Sequence, residues 1–417
     1  MHKPAAPGSA GMMAAGRAAE LGHKVLLLEK NARLGEKLNI TGGGRCNITN
    51  AVFDLRPFIE NYGEAKDFLY SAFSRFGVKE TFDFFERLGL PLVVEARNRA
   101  FPKTQKATDV TKVLISYLKK HGVTVRTETA VTKVLTEEKR IVGVSSGKEK
   151  FHASALIVAT GGLSHPETGS TGDGFHWLET LGHRVRKPSP NVVPIEVRET
   201  WVKQLSGVSL SFMKIIFYLD GARSFSKTGK ILFTHFGLSG PLIINSASQI
   251  KKMLERGKVT ATIDVFPDTD LGSLEKKILQ VLDVNKNKTL KNIFREMVPE
   301  GTAEAILPLS KIDPATKAHS LTKEQRKQLA QLLKSLPVTV AGLMGYDRAV
   351  VSDGGISLEE IDTRRFSSKL YPNMFILGDL LDINRPSGGY SLQLCWTSAY
   401  VAAESLARVI PGRQTTS

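Results

Sequence analysis

The chain has 417 residues, 41% hydrophobic and 24% charged, enough apolar material for two or three domains with cores of their own. No stretch approaches the roughly 18 apolar residues of a membrane span, the nine histidines have no metal-ligand spacing, and the two cysteines, Cys46 and Cys395, lie outside any CxxC pair. That excludes a disulfide framework and a thiolate zinc site and predicts a cytoplasmic protein. The net charge of +16 favours polyanionic company: nucleic acid, an acidic membrane or a phosphorylated cofactor.

Gly8-Ser-Ala-Gly11 opens an alanine-rich helix closed by Gly22, and the strand KVLLLE then ends at Glu29, with Lys30 beside it. Phosphates fit the helix N-terminus, and Glu29 follows Gly8 by about the 20 residues that separate phosphate glycines from a ribose-binding acid. Ala6 stands where the first glycine is expected. The residues before it, MHKPAA, do not read as a strand, because Pro4 and Pro7 remove donors. Either the sheet has a gap, or its first strand lies upstream of this start; the second is the expectation.

Gly35–Asn50, GEKLNITGGGRCNITN, is the stretch around which the chain is organised. Gly42, Gly43 and Gly44 let backbone approach a flat or anionic ligand, Lys37 and Arg45 bracket them with positive charge, and Thr41 adds a short polar group. Residues 58–90 read as helices with aromatic core faces. Arg97, Arg99, Lys103 and Lys106 crowd a loop that is either a solvated turn or an anion-facing element. A helix over 109–120 and a β-hairpin follow.

The strand ALIVATGG is expected to be buried and runs into Thr160-Gly161-Gly162, at the carboxyl edge of the sheet, where ligands bind in open α/β folds. Ser170, Thr171, Gly172 and Asp173 cap the next helix or receive a phosphate. From Pro188 the texture is β-rich. Within it, His235 is either an acid or a structural histidine. Residues 271–335 turn helical and basic. MFILGD then ends at Gly378-Asp379, whose acid can accept a polyol hydroxyl. Gly388-Gly389 open a long helix whose N-terminus can face partial negative charge, such as a reduced flavin ring. Residues 8–50, 159–172 and 378–393 are expected to converge on one site.

TGGGRCNITN, ATGG followed by TGSTGDG, FTHFGLSGP and GD-LLD-SGGYSLQ, in this order, resemble a bacterial family of NAD(P)/FAD-dependent oxidoreductases. It includes aminoacetone-oxidase-type, bile-acid-reductase-type and ribosomal RNA dihydrouridine synthase members. The resemblance implies a glutathione-reductase-like FAD-binding Rossmann domain, of α/β class, interrupted by a β-barrel-like domain and a small helical domain. The expected boundaries are 1–188, 189–270, 271–336 and 337–417.

By position, the resemblance puts Gly8 and Gly11 at the FAD pyrophosphate, Glu29 at the ribose and Val131 at the adenine. It puts Lys37, Gly43, Gly44 and Arg45 beside the flavin, Asp379 at the ribitol, and Gly389 and Gln393 at the ring. Ala6, Glu36, Asp379 and Ser391 depart from the family pattern. The implied chemistry is hydride transfer from NAD(P)H through FAD to an activated C=C bond. Cys46 is the candidate proton donor, its pKa lowered by Arg45 and raised by burial, or else a small packed residue. The substrate is uridine in ribosomal RNA, a small enone or an amine; a non-catalytic, FAD-stabilised RNA-binding protein is the remaining reading.

Overall fold

The computed structural model describes residues 8–349 and 351–408. Ala6 and the strand-poor segment around it lie outside the described residues. The chain divides into two units: Met1–Pro190 with Tyr346–Ser417, and Asn191–Gly345.

The first unit begins with helix α1 (Ser9–Glu20). Gly22, at φ +83°, follows its end, and strand β1 (Leu26–Leu28) comes next. Short helix α2 (Glu36–Ile40) leads into the triple-glycine loop, and helix α3 (Ala107–Lys120) leads into β2 (Thr124–Arg126). An antiparallel three-stranded excursion over 133–152 precedes β3 (Leu156–Val158). Helix α4 (Asp173–Thr180), β4 (Met374–Ile376) and α5 (Tyr390–Ser405) complete the frame.

The parallel strands form two pairs, β1 with β2 and β3 with β4. Helix α1 packs on α5, β1 and β3. Its small residues let neighbours come close: a Cβ on Gly16 would stand 2.4 Å from the Tyr117 ring on α3. The segment 92–102, expected as a loop, instead forms two antiparallel strands, Leu92–Glu95 and Arg99–Pro102, which sets Phe101 in the interior and leaves Arg97 exposed.

The apolar runs KVLLLE and ALIVATGG both read as buried strands. Leu26 is 42% exposed, and Leu156 and Ile157 are only half-buried. The cause is a groove between the two strand pairs.

The second unit holds a closed six-stranded barrel, ordered 195–197, 237–239, 222–233, 209–219, 259–264 and 336–343. Ile215, Phe217, Ile231 and Ile263 fill it. Helices Leu271–Val284 and Lys323–Lys334 bury Leu274, Ile278, Leu329 and Leu333 in the same hydrophobic cluster. The β-rich and helical stretches, read from sequence as two domains, thus share one core. His235 is exposed in this unit, its ring 5.0 Å from that of Phe236.

Candidate nucleotide-binding site

A cleft of about 480 Å³ opens at the carboxyl edge of the strands in the first unit. Three distant parts of the chain wall it. Gly8, Glu29, Lys37, Thr41, Gly42 and Gly43 come from the first; Thr160 and Gly161 from the second; Gly378, Asp379, Gly388 and Gly389 from the third.

Backbone does much of the lining, and the glycines follow from that. Gly42, Gly43 and Gly44 have φ of +62°, +69° and +84°, which side chains rarely adopt. A Cβ placed on Gly8 or Gly43 would meet no atom within 4 Å, so it would project into open space. Gly389 is confined from behind: its Cβ would lie 2.3 Å from the Thr49 carbonyl carbon.

The polar groups are held from outside the cleft. Lys37 Nζ donates to Ser164 Oγ at 2.7 Å and to Ser170 Oγ at 3.4 Å, and stands 3.8 Å from Asp379. Burial lowers the Lys37 pKa, and Asp379 opposes that shift. Arg385 also pairs with Asp379, donates from Nε to Ser391 Oγ at 3.0 Å and caps the Ile383 carbonyl at 2.5 Å. Arg385 is 3% exposed, so Asp379 is clamped between a buried guanidinium and an ammonium.

Glu29 is 1% exposed and accepts the Asn31 N–H at 2.8 Å; burial pushes its pKa up to about 8. The folded state therefore holds a proton that an unfolded glutamate releases near pH 4.5. That contribution is complete at acid pH and is lost as the pH rises towards 8. Glu29→Gln should flatten this limb, raising stability relative to wild type at pH 8 by at most about 5 kcal/mol. Denaturant melts of the protein without ligand at pH 5 and pH 8 measure it; equal slopes for the two proteins would contradict the assignment.

Two buried acceptors on the wall, Thr160 Oγ1 and Asn47 Oδ1, have no protein partner. Both atoms are closed off from the cleft itself: the Thr160 hydroxyl packs against Gly174, whose Cβ would stand 2.1 Å from it.

Seven expected site residues stand off the wall. Gly11 and Val131 line the neighbouring groove instead. Lys30 is tied to Thr171 Oγ1 at 2.7 Å and Asp173 at 3.2 Å, at the start of α4. Thr171 and Asp173 thus hold a lysine, the helix has Gly172 at its N-cap with no side-chain cap, and Ser170 lines the cleft. Gln393 is 0% exposed, accepts from Thr49 Oγ1 at 2.6 Å and donates to Thr81 Oγ1 at 2.8 Å; it fastens α5 to the strand behind the cleft. Gly44 sits one residue beyond the lining glycines.

Arg45 turns outwards to pair with Glu95 and Gln105 Oε1, its guanidinium 4.1 Å above the Phe101 ring. Cys46 is 0% exposed, at φ +60°, and desolvation raises its pKa instead of lowering it. The pair expected to act as a proton donor is thus separated by backbone direction, one residue outwards and the next into the core. Sequence reading missed Arg385, Cys395 and Thr168. Cys395 lies on the wall as a neutral thiol, its pKa pushed by burial to about 12. Its place on α5, nearly two turns beyond the glycine pair, was the available signal.

Parallel strands under helices, with a glycine-walled cleft at their carboxyl ends, define a mixed α/β protein of the Rossmann type. The chain belongs to the family described as HI0933-like protein Rossmann domain, whose model matches residues 6–405. It is 28% identical over 385 residues to a 3-dehydro-bile acid delta(4,6)-reductase of Clostridium scindens, covering 92% of this chain and 93% of that one. It is 27% identical over 403 residues to a ribosomal RNA dihydrouridine synthase of Escherichia coli, covering 96% of each. Among solved structures, a 3-ketosteroid-delta4-(5alpha)-dehydrogenase from Rhodococcus jostii RHA1 superposes with a TM-score of 0.53 at 15% identity, covering 96% of this chain and 95% of that one. That likeness is one of fold. Among the described residues no helix is long and apolar enough to cross a membrane.

Proposed function

We propose that the chain is an FAD-dependent oxidoreductase that takes hydride from NAD(P)H and delivers it to an activated C=C bond. The observation that carries this is the cleft itself: three glycine-bearing segments meet around a clamped carboxylate. Two relatives, the bile-acid reductase and the dihydrouridine synthase, carry names that describe reductions.

The residues present fit FAD. The N-terminus of α1 at Gly8 offers free N–H groups to a pyrophosphate. Glu29 can bind ribose hydroxyls, as acid or as carboxylate. Asp379, fixed by Arg385 and Lys37, faces the cleft as an acceptor for a polyol. The N-terminus of α5 offers a partial positive charge to an electron-rich ring. Bound there, FAD would supply a two-electron carrier able to accept and pass on a hydride.

Uridine in ribosomal RNA is the proposed substrate, favoured by the net charge of +16 and the exposed Arg97, Lys103 and Lys106. Mass analysis of ribosomal RNA from a deletion strain should find one dihydrouridine missing. Unchanged RNA, together with NAD(P)H-dependent enone reduction by the purified protein, would move the assignment to a small-molecule reductase.

A further inference from the structure

The barrel of the second unit turns one polar sheet face outwards. Along the strand Ser209–Leu219, Leu210, Met213, Ile215 and Phe217 are buried, so alternation sends Phe212, Lys214, Ile216 and Tyr218 to the other side. Hydroxyl groups flank that row. Thr228 and Ser226 pair with Lys214 and Ile216 on one neighbouring strand, and Thr262 and Thr260 pair with Ile216 and Tyr218 on the other.

Phe212 does not earn its place by packing. Leu210 pairs with Ile231 and Met213 with Gly229, so Ser211 and Phe212 together oppose Lys230 in a bulge. Phe212 has φ +59°, a conformation that bulky side chains rarely adopt. Its ring is 73% exposed, so burial does not offset the strain. Glycine or asparagine would form the same bulge at lower cost. Strain of this kind persists where a side chain is held out for a purpose. Tyr218 is half-buried on the same row, roughly 15–20 Å further along the strand. The charge between and beside the two rings is positive. Neither Lys214 nor Lys230 forms an ion pair among the described residues. Asp264, which pairs with Lys214 in the ladder, is neutralised by Lys334 Nζ at 2.6 Å.

We propose that this outer face of the barrel binds a single strand of RNA, with bases stacked on Phe212 and Tyr218 and phosphates beside Lys214 and Lys230. Aromatic rings offer stacking to any base, and the two ammonium groups attract the backbone. The serine and threonine hydroxyls can bond to phosphate or sugar oxygens. A duplex hides the faces of its bases and cannot use the rings. An acidic peptide would use the lysines and leave the rings bare. The inference rests on the reading of RNA as the substrate and adds to it a contact surface that belongs to the second unit alone.

The test is a fluorescence anisotropy titration of the purified full-length protein with a labelled oligouridylate about ten nucleotides long. Phe212→Asn should weaken binding about tenfold, while its thermal melt stays level or rises, because asparagine tolerates the left-handed conformation better. Lys214→Gln combined with Lys230→Gln should lower the slope of log K against log salt by about 1.4, two phosphate contacts' worth. A duplex of the same length should bind more weakly and ignore Phe212→Asn. Unchanged oligouridylate affinity in Phe212→Asn would overturn the proposal. So would a duplex that binds as well as the single strand, or an oligoglutamate that competes as well as the RNA. The readout needs neither FAD nor turnover, so it fails separately from the proposed function. A deletion strain that lacks a dihydrouridine beside a protein whose Phe212→Asn variant binds normally would remove only the barrel surface. Normal dihydrouridine beside Phe212-dependent binding would remove only the proposed substrate.

Discussion

Gly389→Ala should destabilise the first unit by about 2–4 kcal/mol and abolish cofactor retention. Its φ is +106°, and a Cβ there would press to 2.3 Å on the Thr49 carbonyl carbon and 2.5 Å on the Asn50 nitrogen. Both are backbone atoms of a short strand, tied through Thr49 to Gln393. The only relief is to push α5 away from that strand, and α5 begins the cleft wall. Gly388→Ala is the matched comparison. Its φ is +118°, yet the nearest atom to its Cβ is the end of the Tyr390 ring at 3.7 Å. It should cost about 1 kcal/mol, from conformation alone. Thermal melts of the two variants rank them; equal losses would mean that close approach is not what selects glycine at 389.

Asp379→Asn should cost about 3–5 kcal/mol, because it leaves Arg385 buried without a counter-charge. For a unit of this size that is a fall in Tm of roughly 10 °C. FAD affinity should fall as well, since Asp379 is the acceptor facing the cleft. Asp379→Leu combined with Arg385→Met separates the two effects. Removing both charges should recover most of the stability while affinity stays low, because the polyol acceptor is gone. Recovery of both would show that Asp379 serves only to neutralise Arg385.

Much of the site was legible because its signals are local. A glycine at positive φ and an acid at a strand end are set by a few neighbouring residues, so Gly42, Gly161, Gly378, Glu29 and Asp379 could be placed from spacing alone. Polar residues satisfied over long distances could not. Gln393 is bound by Thr49 and Thr81, more than 300 positions away, and its spacing gave no sign that it faces away from the cleft. Arg385 was passed over in a proline-glycine stretch, because its partners became visible only in three dimensions. Cys46 was left open between a proton donor and a small packed residue, and its burial at φ +60°, beside an Arg45 that turns outwards, depends on a backbone conformation that residue type does not announce. The half-exposed leucines of β1 carried the reverse lesson. Their composition reads as a buried strand, yet a groove runs beside them and Leu26 is 42% exposed.

The most direct measurement is a titration of the purified full-length protein with FAD, followed by the quenching of flavin fluorescence and the visible spectrum after gel filtration. Saturation at one FAD per chain, with yellow protein eluting and Asp379→Asn binding more weakly, is the predicted result. Protein that elutes colourless from a saturating excess of FAD would contradict the central claim that the three glycine segments form a flavin nucleotide site.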